Sequence, residues 1–271
     1  MRFGIVHHSM GHGVPIEQAM RTAAECGAYV LATGVNLENR DRIGELAAEH
    51  RLEIATGWGD RYIENGPNQP TGRFETMCRD VWEPLGIRIV GTASTHHRWR
   101  KDPPLAEQLE RLSAALRVLA PVAADYGVHI AIENHADYRA RDLIEVLERV
   151  DHPALRVQLD TGNPFAVAEE PVDAARLLAP YAVSTHIKDM TIRPLTDGEW
   201  VKVLGCTLGE GDVDLVQIAH LLAEKAPESC PFMIEVEPPP GTDMSIAFPR
   251  SVEYVRTALA DVVEFRERSG A

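Results

Sequence analysis

The sequence predicts a closed (β/α)8 barrel, and three observations support that prediction. Short apolar runs rich in Val and Ile alternate with longer amphipathic runs, which is typical of parallel βαβ units. Eight such units follow one another, and no linker rich in Pro, Gly or Ser interrupts them. A chain of 271 residues has the usual length of one barrel, so we expect residues 1–271 to form a single domain.

Each predicted strand is a short run rich in residues that favour β-structure. In chain order the strands cover residues 2–7, 28–34, 51–57, 86–92, 128–133, 155–160, 182–188 and 232–237. Each predicted helix has apolar residues spaced three or four apart. In chain order the helices cover residues 15–26, 39–50, 70–84, 104–126, 140–150, 172–179, 214–226 and 250–267. The segments 57–69 and 189–213 show neither pattern, and we expect them to be loops above the carboxyl ends of the strands.

Composition argues against several classes of partner. The net charge is −14 and no basic block stands out, so we expect no nucleic-acid partner. No window approaches the roughly 18 apolar residues of a membrane span. The first residues are too polar for a signal peptide, so we expect a soluble cytoplasmic enzyme with no membrane partner.

Four potential metal ligands end four consecutive predicted strands. They are Glu133 in AIENH, Asp160 in VQLDTGN, His186 in VSTHIKD and Glu235 in MIEVEP. The carboxyl ends of barrel strands meet at one face, so these side chains are expected to converge there. Taken alone, each carboxylate could be a solvated strand end or a helix cap, and the histidine a core residue. Together they are hard to explain without a cation, because unpaired buried charges are so unfavourable.

Strand alternation supports the same grouping. Successive side chains of a strand point to opposite faces, and in each of the four segments the apolar residues take the outward positions. All four candidate ligands then point into the barrel. His135, Lys188 and Glu237 share that inward parity two residues further along, nearer the opening.

Three carboxylates and one imidazole form a hard, oxygen-rich ligand set. Structural zinc sites prefer Cys and His, so this set favours Mn²⁺, Mg²⁺ or Co²⁺. We expect one divalent metal ion per chain, with Mn²⁺ as the first choice and Mg²⁺, Co²⁺ or Zn²⁺ as alternatives. Open coordination positions would accept water or substrate oxygens.

The motifs ENH, LDTGN, HIKD and E-x-E-P, with LGEGDVDL at 208–215, resemble the xylose-isomerase-like TIM barrels, a family of sugar phosphate isomerases and epimerases. The resemblance spans the whole barrel. It implies a divalent-metal isomerase or epimerase of a keto sugar or sugar derivative, acting through a metal-stabilised enediolate. In the family's ketose 3-epimerases two Glu ligands are also the acid and base, so Glu133 and Glu235 would take these roles. Asp160 and His186 would be ligands only.

The chain departs from the ketose epimerases at two substrate positions. They carry a His three residues after the strand-six Asp, where this chain has Asn163. They carry an Arg six residues after the strand-seven His, where this chain has Ile192 with Arg193 beside it. We therefore predict the substrate contacts only from which residues lie at the barrel mouth. The candidates are His7, Trp58, His97, Asn163, Arg193 and Glu237.

Several polar residues near the mouth are candidates for catalysis. His135 could be an additional acid or base, and Lys188 could stabilise an oxyanion. Alternatively, Lys188 pairs with Glu235 or Glu237 on the neighbouring strand. His8, next to His7 at the end of the first strand, could also reach the substrate.

Other functions remain open. A metal-dependent lyase would use the same enolate and add an acid for the leaving group. It could be a dehydratase or an enzyme that eliminates a group from a 3-keto glycoside. An apurinic endonuclease-type hydrolase would need more His ligands and a DNA-binding surface, which the net charge of −14 disfavours. A non-catalytic metal-binding scaffold would leave no open coordination position. We expect a small carbohydrate substrate, and the sequence leaves a homo-oligomer possible.

Overall fold

The structure, a computed structural model, describes residues 1–94, 99–194 and 200–267. Its main sheet has eight parallel strands in chain order, with the last barrel strand beside the first. These strands are β1 (Phe3–Val6), β2 (Val30–Ala32), β3 (Glu53–Gly57), β4 (Ile89–Thr92), β5 (His129–Glu133), β6 (Leu155–Asp160), β7 (Ala182–His186) and β10 (Phe232–Ile234). A bridge between Ile187 and Ile234 joins β7 to β10. The predicted (β/α)8 barrel is therefore confirmed.

Helices surround the barrel and cover the outward side chains of its strands. The described helices are α1 (Ile16–Glu25), α2 (Arg40–His50), α3 (Tyr62–Asn65), α4 (Gly72–Met77), α5 (Leu105–Asp125), α6 (Ala140–Val150), α7 (Pro171–Leu178), α8 (Leu215–Lys225) and α9 (Met244–Ala258). The buried residues of α6 are Ala140, Leu143, Val146 and Val150. Their spacing of three or four residues places one apolar stripe against the strands. None of the helices in the described ranges is long and apolar enough to cross a membrane.

The segment 189–213 is not the loop that the sequence predicted. It contains an antiparallel hairpin of β8 (Asp189–Arg193) and β9 (Lys202–Cys206). Each strand has only five residues and is partly exposed, so it lacks the apolar run of a barrel strand. A hairpin of this kind depends on contacts with the rest of the fold.

Asp189 supplies such a contact at the base of the hairpin. Its carboxylate accepts hydrogen bonds from Gly209 N at 2.8 Å and Gly211 N at 2.9 Å. A Cβ atom on Gly211 would lie 2.0 Å from Asp189 Oδ1, so a larger residue does not fit there. Asp189 thus ties the hairpin to the glycine-rich stretch before α8.

Two further boundaries differ from the prediction. The segment 57–69 contains the short helix α3, where a loop was expected. The last helix begins at Met244, not at residue 250, because Asp243 caps it by accepting a hydrogen bond from Ser245 N at 2.9 Å. It also ends earlier than predicted, at Ala258.

Candidate metal centre

The carboxyl ends of β5, β6, β7 and β10 bring the four candidate ligands together. Glu133, Asp160, His186 and Glu235 each offer one ligand atom, and these atoms all lie within 4.8 Å of one another. His186 Nδ1 is 3.5 Å from Glu133 Oε1 and 3.4 Å from Glu235 Oε2. The convergence expected from strand order is therefore present, and metal binding by these groups stays a prediction.

A bulge between β6 and β7 sets the register of this cluster. Val157 pairs with Ala182, but the next residue, Gln158, pairs with Ser184. The extra residue on β7 leaves Asp160 opposite His186 at the mouth.

Hydrogen bonds fix both the backbone of Asp160 and one oxygen of its side chain. Asp160 N donates to Asn134 Oδ1 at 2.8 Å, and Asn134 Nδ2 donates back to Asp160 O at 2.8 Å. Asp160 Oδ1 accepts hydrogen bonds from Gly162 N and Asn163 N, at 2.8 and 2.7 Å. The second oxygen, Oδ2, is left for the centre.

Glu133 is held by two neutral side-chain amides. Gln158 Nε2 donates to Glu133 Oε2 and Asn163 Nδ2 donates to Glu133 Oε1, each at 3.0 Å. Ser184 Oγ donates to Gln158 Oε1 at 3.1 Å and so fixes the amide. A Cβ atom on Gly91 would lie 2.5 Å from Gln158 Oε1. The Gln158 amide therefore fits here because residue 91 has no side chain.

Glu235 lies between two basic side chains. Lys188 Nζ is 2.7 Å from Glu235 Oε2, 2.8 Å from Glu237 Oε2 and 3.4 Å from Asp160 Oδ2. His8 Nε2 is 3.1 Å from Glu235 Oε1 and 3.3 Å from Glu237 Oε1. Lys188 thus makes the ion pairs that the sequence offered as the alternative to an oxyanion contact.

The pKa values at the centre depend on two opposing effects, the burial of each group and the charges of its neighbours. Burial raises the pKa of Asp160 to about 7, although Lys188 opposes the shift. Burial by itself would lower the pKa of His186, but the carboxylates of Glu235 and Glu133 raise it to about 9. A divalent ion would displace that proton, because a ligating imidazole must be neutral.

His8 and Glu237 form a second charged pair at the rim of the centre. The close carboxylates of Glu235 and Glu237 raise the pKa of His8 to about 9. The contact with His8 is the main cause that lowers the pKa of Glu237 to about 2. At neutral pH, His8 therefore carries a positive charge beside Glu235.

The donor set fits a hard divalent ion. Three carboxylates and one imidazole suit Mn²⁺, Mg²⁺ or Co²⁺, with positions left for water or substrate. The buried atoms Asp160 Oδ2 and Glu235 Oε2 have no directional hydrogen bond among the described residues, although Lys188 Nζ is close to both. Both oxygens are therefore available to a cation.

A cavity of about 730 Å³ opens beside the centre. Glu133, Gln158 and His186 line one side of it, and residues of β1–β4 and the loops that follow them line the other. This volume lies within the roughly 300–1,000 Å³ of small-molecule sites.

The other predicted substrate residues divide between the cavity and the surface. His7 and Trp58 line the cavity, as does His8. Asn163 contacts the candidate ligand Glu133, whereas Glu237 contacts Lys188 and His8. Arg193 lies on the hairpin, where its Nη1 is 3.1 Å from Asp212 Oδ2, and it does not line the cavity.

His135 and His97 have different outcomes. His135 is half-buried after β5, and the lining of the cavity does not include it. His97, with His96, lies outside the described residues.

Sequence reasoning gave no functional role to three residues in or near this site. The amides of Asn134 and Gln158 can be found only through their cross-strand partners, although the motif ENH contains Asn134. The third is Asp137 in the loop after β5, which is buried, and neither of its carboxylate oxygens has a hydrogen-bond partner among the described residues. Burial is the main cause that raises the pKa of Asp137 to about 8, and the nearby charge of Glu133 adds to it.

Two curated proteins are similar to this chain over part of their length. A 3-oxo-isoapionate decarboxylase of Pectobacterium atrosepticum is 31% identical over 144 residues, which are 52% of this chain and 48% of that protein. Inosose dehydratase 1 of Bacillus cereus is 25% identical over 195 residues, which are 67% of this chain and 65% of that protein. The chain thus spans about half of the first relative and just under two thirds of the second.

Solved structures and a family model agree on the fold. The D-psicose 3-epimerase of Clostridium cellulolyticum H10, solved with D-tagatose, has a TM-score of 0.72 and 15% identity, covering 97% of this chain and 98% of that one. The IolI protein, solved with a bound zinc atom, has a TM-score of 0.74 and 18% identity, with the same coverage of both chains. The model of the xylose isomerase-like TIM barrel matches residues 20–252. The chain belongs to this family.

Proposed function

We propose that this protein is a divalent-metal-dependent lyase that acts on a small polyhydroxylated keto compound through an enolate of the substrate. The observation that carries the proposal is the unequal setting of the two carboxylates beside His186. Glu133 is held by neutral amides, including that of Gln158. Glu235 contacts two basic groups, Lys188 Nζ at 2.7 Å and His8 Nε2 at 3.1 Å.

This asymmetry suits a reaction that removes a group from the substrate. A divalent ion held at the centre would supply Lewis acidity, which draws electrons toward the carbonyl oxygen of a bound ketone. Glu133 lines the cavity and is not ion-paired to Lys188 or His8, so it suits the base that takes a proton from the substrate. His8 also lines the cavity and holds its proton beside Glu235, so it suits proton donation to a departing hydroxyl. In a decarboxylation the enolate would form as the bond to the carboxylate breaks, with no proton taken by Glu133, and His8 would protonate the carbon that lost carbon dioxide. Lys188 fixes Glu235 from the buried side.

The two curated relatives support the lyase assignment. One is named a decarboxylase and the other a dehydratase. Both names describe the departure of a small molecule from the substrate. The structurally similar epimerase has only 15% identity and supports the fold alone.

An isomerase or epimerase is the second candidate, and one observation favours it. Glu133 Oε1 and Glu235 Oε2 lie at similar distances, 3.5 and 3.4 Å, from His186 Nδ1. Two carboxylates placed in this way could exchange protons at two faces of one carbon. The contacts from Lys188 and His8 weaken Glu235 as a base, which is why we place this candidate second.

The test is a product analysis with the metal-loaded protein. The protein is loaded in turn with Mn²⁺, Mg²⁺, Co²⁺ or Zn²⁺ and incubated in D₂O with 3-keto acids, keto polyols and ketoses. A lyase gives a product lighter by carbon dioxide or water. An isomerase or epimerase gives a product of the same formula that gains deuterium from solvent.

Two further outcomes complete this test. Glu133→Gln is expected to abolish a dehydration, an isomerisation or an epimerisation, because it removes the base without changing the size of the side chain. A decarboxylation removes no proton from carbon, so there Glu133→Gln should act only through weaker metal binding. Turnover of none of these compounds with any of the four metals would contradict both candidate functions.

A further inference from the structure

The cavity beside the centre has two unlike sides. One side is lined by Glu133 and His186, which belong to the charged cluster (Glu133, Asp160, His186, Lys188, Glu235 and Glu237). We call the other side the neutral wall: it comprises residues 6–7, 14, 32–34, 55–59 and 91–93, from β1–β4 and the loops that follow them. His8, Gly11, His12 and Gly13 also line the cavity and are not part of the neutral wall. Among the described residues that line the cavity there is no Lys or Arg.

The histidine of the neutral wall is already hydrogen-bonded within the protein. His7 Nε2 donates to Val14 O at 2.9 Å, and His7 Nδ1 lies 3.0 Å from Thr33 Oγ1. In the tautomer that satisfies both contacts, the Thr33 hydroxyl donates to His7 Nδ1. Neither ring nitrogen of His7 is left for a ligand.

The other hydroxyls of the neutral wall are also engaged. Thr92 Oγ1 donates to Trp58 O at 2.7 Å and lies 2.7 Å from Tyr62 Oη, which can donate to it. Thr56 Oγ1 accepts a hydrogen bond from Val35 N at 3.3 Å. A sugar hydroxyl placed here would lose its bonds to water and find few replacements.

The rest of the neutral wall is apolar or glycine. Val14, Ala32, Ala55 and Ala93 line it, together with the ring of Trp58. Trp58 is fixed by edge-on contacts with two other aromatic rings, Phe74 and Trp82, so it presents a rigid surface. Such a surface favours apolar ligand groups over charged or hydroxylated ones.

We infer that the substrate has two parts: a keto and hydroxyl part at the charged cluster, and an uncharged, largely apolar substituent, such as an aromatic ring, against the neutral wall. This inference rests on the proposed function and names the substrate class of the same site.

The test compares two hydroxamates that share one metal-chelating group. Benzohydroxamate carries a phenyl ring, and gluconohydroxamate carries a polyol chain. Binding of each to the metal-loaded protein is measured by calorimetry. We expect benzohydroxamate to bind at least about tenfold more tightly, because its phenyl ring packs against the apolar surface of the neutral wall and the polyol chain does not.

A matched pair of variants assigns that preference to the neutral wall. Val14→Asp places a charge in the wall and should reduce the affinity ratio of the two hydroxamates about tenfold. Val216→Asp makes the same change on the exposed face of α8 and should leave the ratio unchanged.

Each outcome has a distinct meaning. Equal or tighter binding of gluconohydroxamate to the wild-type protein overturns the inference and leaves the lyase proposal intact. Binding of neither compound in the presence of the metal contradicts the metal centre, on which both proposals rest. The wild-type comparison decides the question even where Val14→Asp does not fold.

Discussion

The two halves of the barrel mouth differ in how they place charge. The ends of β5, β6, β7 and β10 carry the charged cluster, in which carboxylates, His186 and Lys188 lie within a few ångströms of one another. The ends of β1–β4 carry the neutral wall, whose histidine and threonine side chains bond to neighbours within the protein, while Trp58 Nε1 has no hydrogen-bond partner among the described residues. The same strand geometry thus builds a candidate cation site in one half and an uncharged surface in the other.

The difference would let the barrel separate the proposed chemistry from recognition of the substrate. Buried charges must be paired or bound to a cation, so they concentrate where several strands can supply partners. The opposite half needs no such compensation and can vary its surface to suit a substrate. His8 is the exception, because it follows β1 and yet contacts Glu235 on the charged side.

The largest effect is expected from removing a ligand in the charged half. Asp160→Asn should weaken metal binding by at least about a hundredfold. Losing a residue that only supports a ligand already costs up to about a hundredfold in metal affinity, and losing a ligand should cost at least as much. Metal content and titration calorimetry measure this. Asp173→Asn, on the exposed surface of α7, is the matched control and should bind metal normally. Full metal binding by Asp160→Asn would remove the basis for the proposed centre.

A second large effect is expected from Lys188. Lys188→Met leaves Glu235, Glu237 and Asp160 without their cation, so the metal-free protein should lose about 3–5 kcal/mol of unfolding free energy. A divalent ion restores positive charge at the centre, so Mn²⁺ should stabilise this variant more than the wild type. Urea unfolding with and without Mn²⁺ measures both effects, and Lys225→Met at the end of α8 is the control. Equal stabilisation of both proteins by Mn²⁺ would contradict this account.

A moderate, pH-dependent effect is expected from the buried Asp137. Burial raises its pKa from 3.8 to about 8, so between these values the folded chain holds a proton that the unfolded chain has released. The contribution of Asp137 to the free energy of unfolding therefore falls as the pH rises from 3.8 to about 8. Asp137→Asn keeps the neutral form, so its stability relative to wild type should increase by up to about 1.4 kcal/mol per pH unit.

Urea unfolding of the metal-free protein at pH 6 and pH 8 tests this prediction. Asp173→Asn is again the control, because its carboxylate is exposed. A stability difference between Asp137→Asn and wild type that is the same at both pH values would show that Asp137 has an ordinary pKa.

The smallest effect is expected where the two halves touch. Gly91→Ala would place a methyl group 2.5 Å from Gln158 Oε1 and displace the amide that holds Glu133. We expect metal affinity to fall about tenfold, as for the loss of a supporting hydrogen bond. Gly72→Ala, where a Cβ atom meets nothing within 4 Å, is the control. Unchanged metal affinity in Gly91→Ala would mean that Gln158 does not position Glu133.

The fold and the ligand cluster could be predicted because both follow from local patterns. Alternation of apolar residues defines each strand and the face on which Glu133, Asp160, His186 and Glu235 lie. Parallel strand order then brings their ends to one mouth. The hairpin could not be predicted in this way, because β8 and β9 depend on tertiary contacts such as those of Asp189.

The sequence by itself determined the barrel, the inward parity of four ligands and the acidic character of the centre. Only the tertiary structure decided that His8, not His7, contacts Glu235, and that Lys188 pairs with the carboxylates. It alone showed that Asn163 holds Glu133. The physical reason is that strand periodicity is encoded locally, whereas hydrogen-bond and ion-pair partners depend on how distant segments approach one another across the barrel.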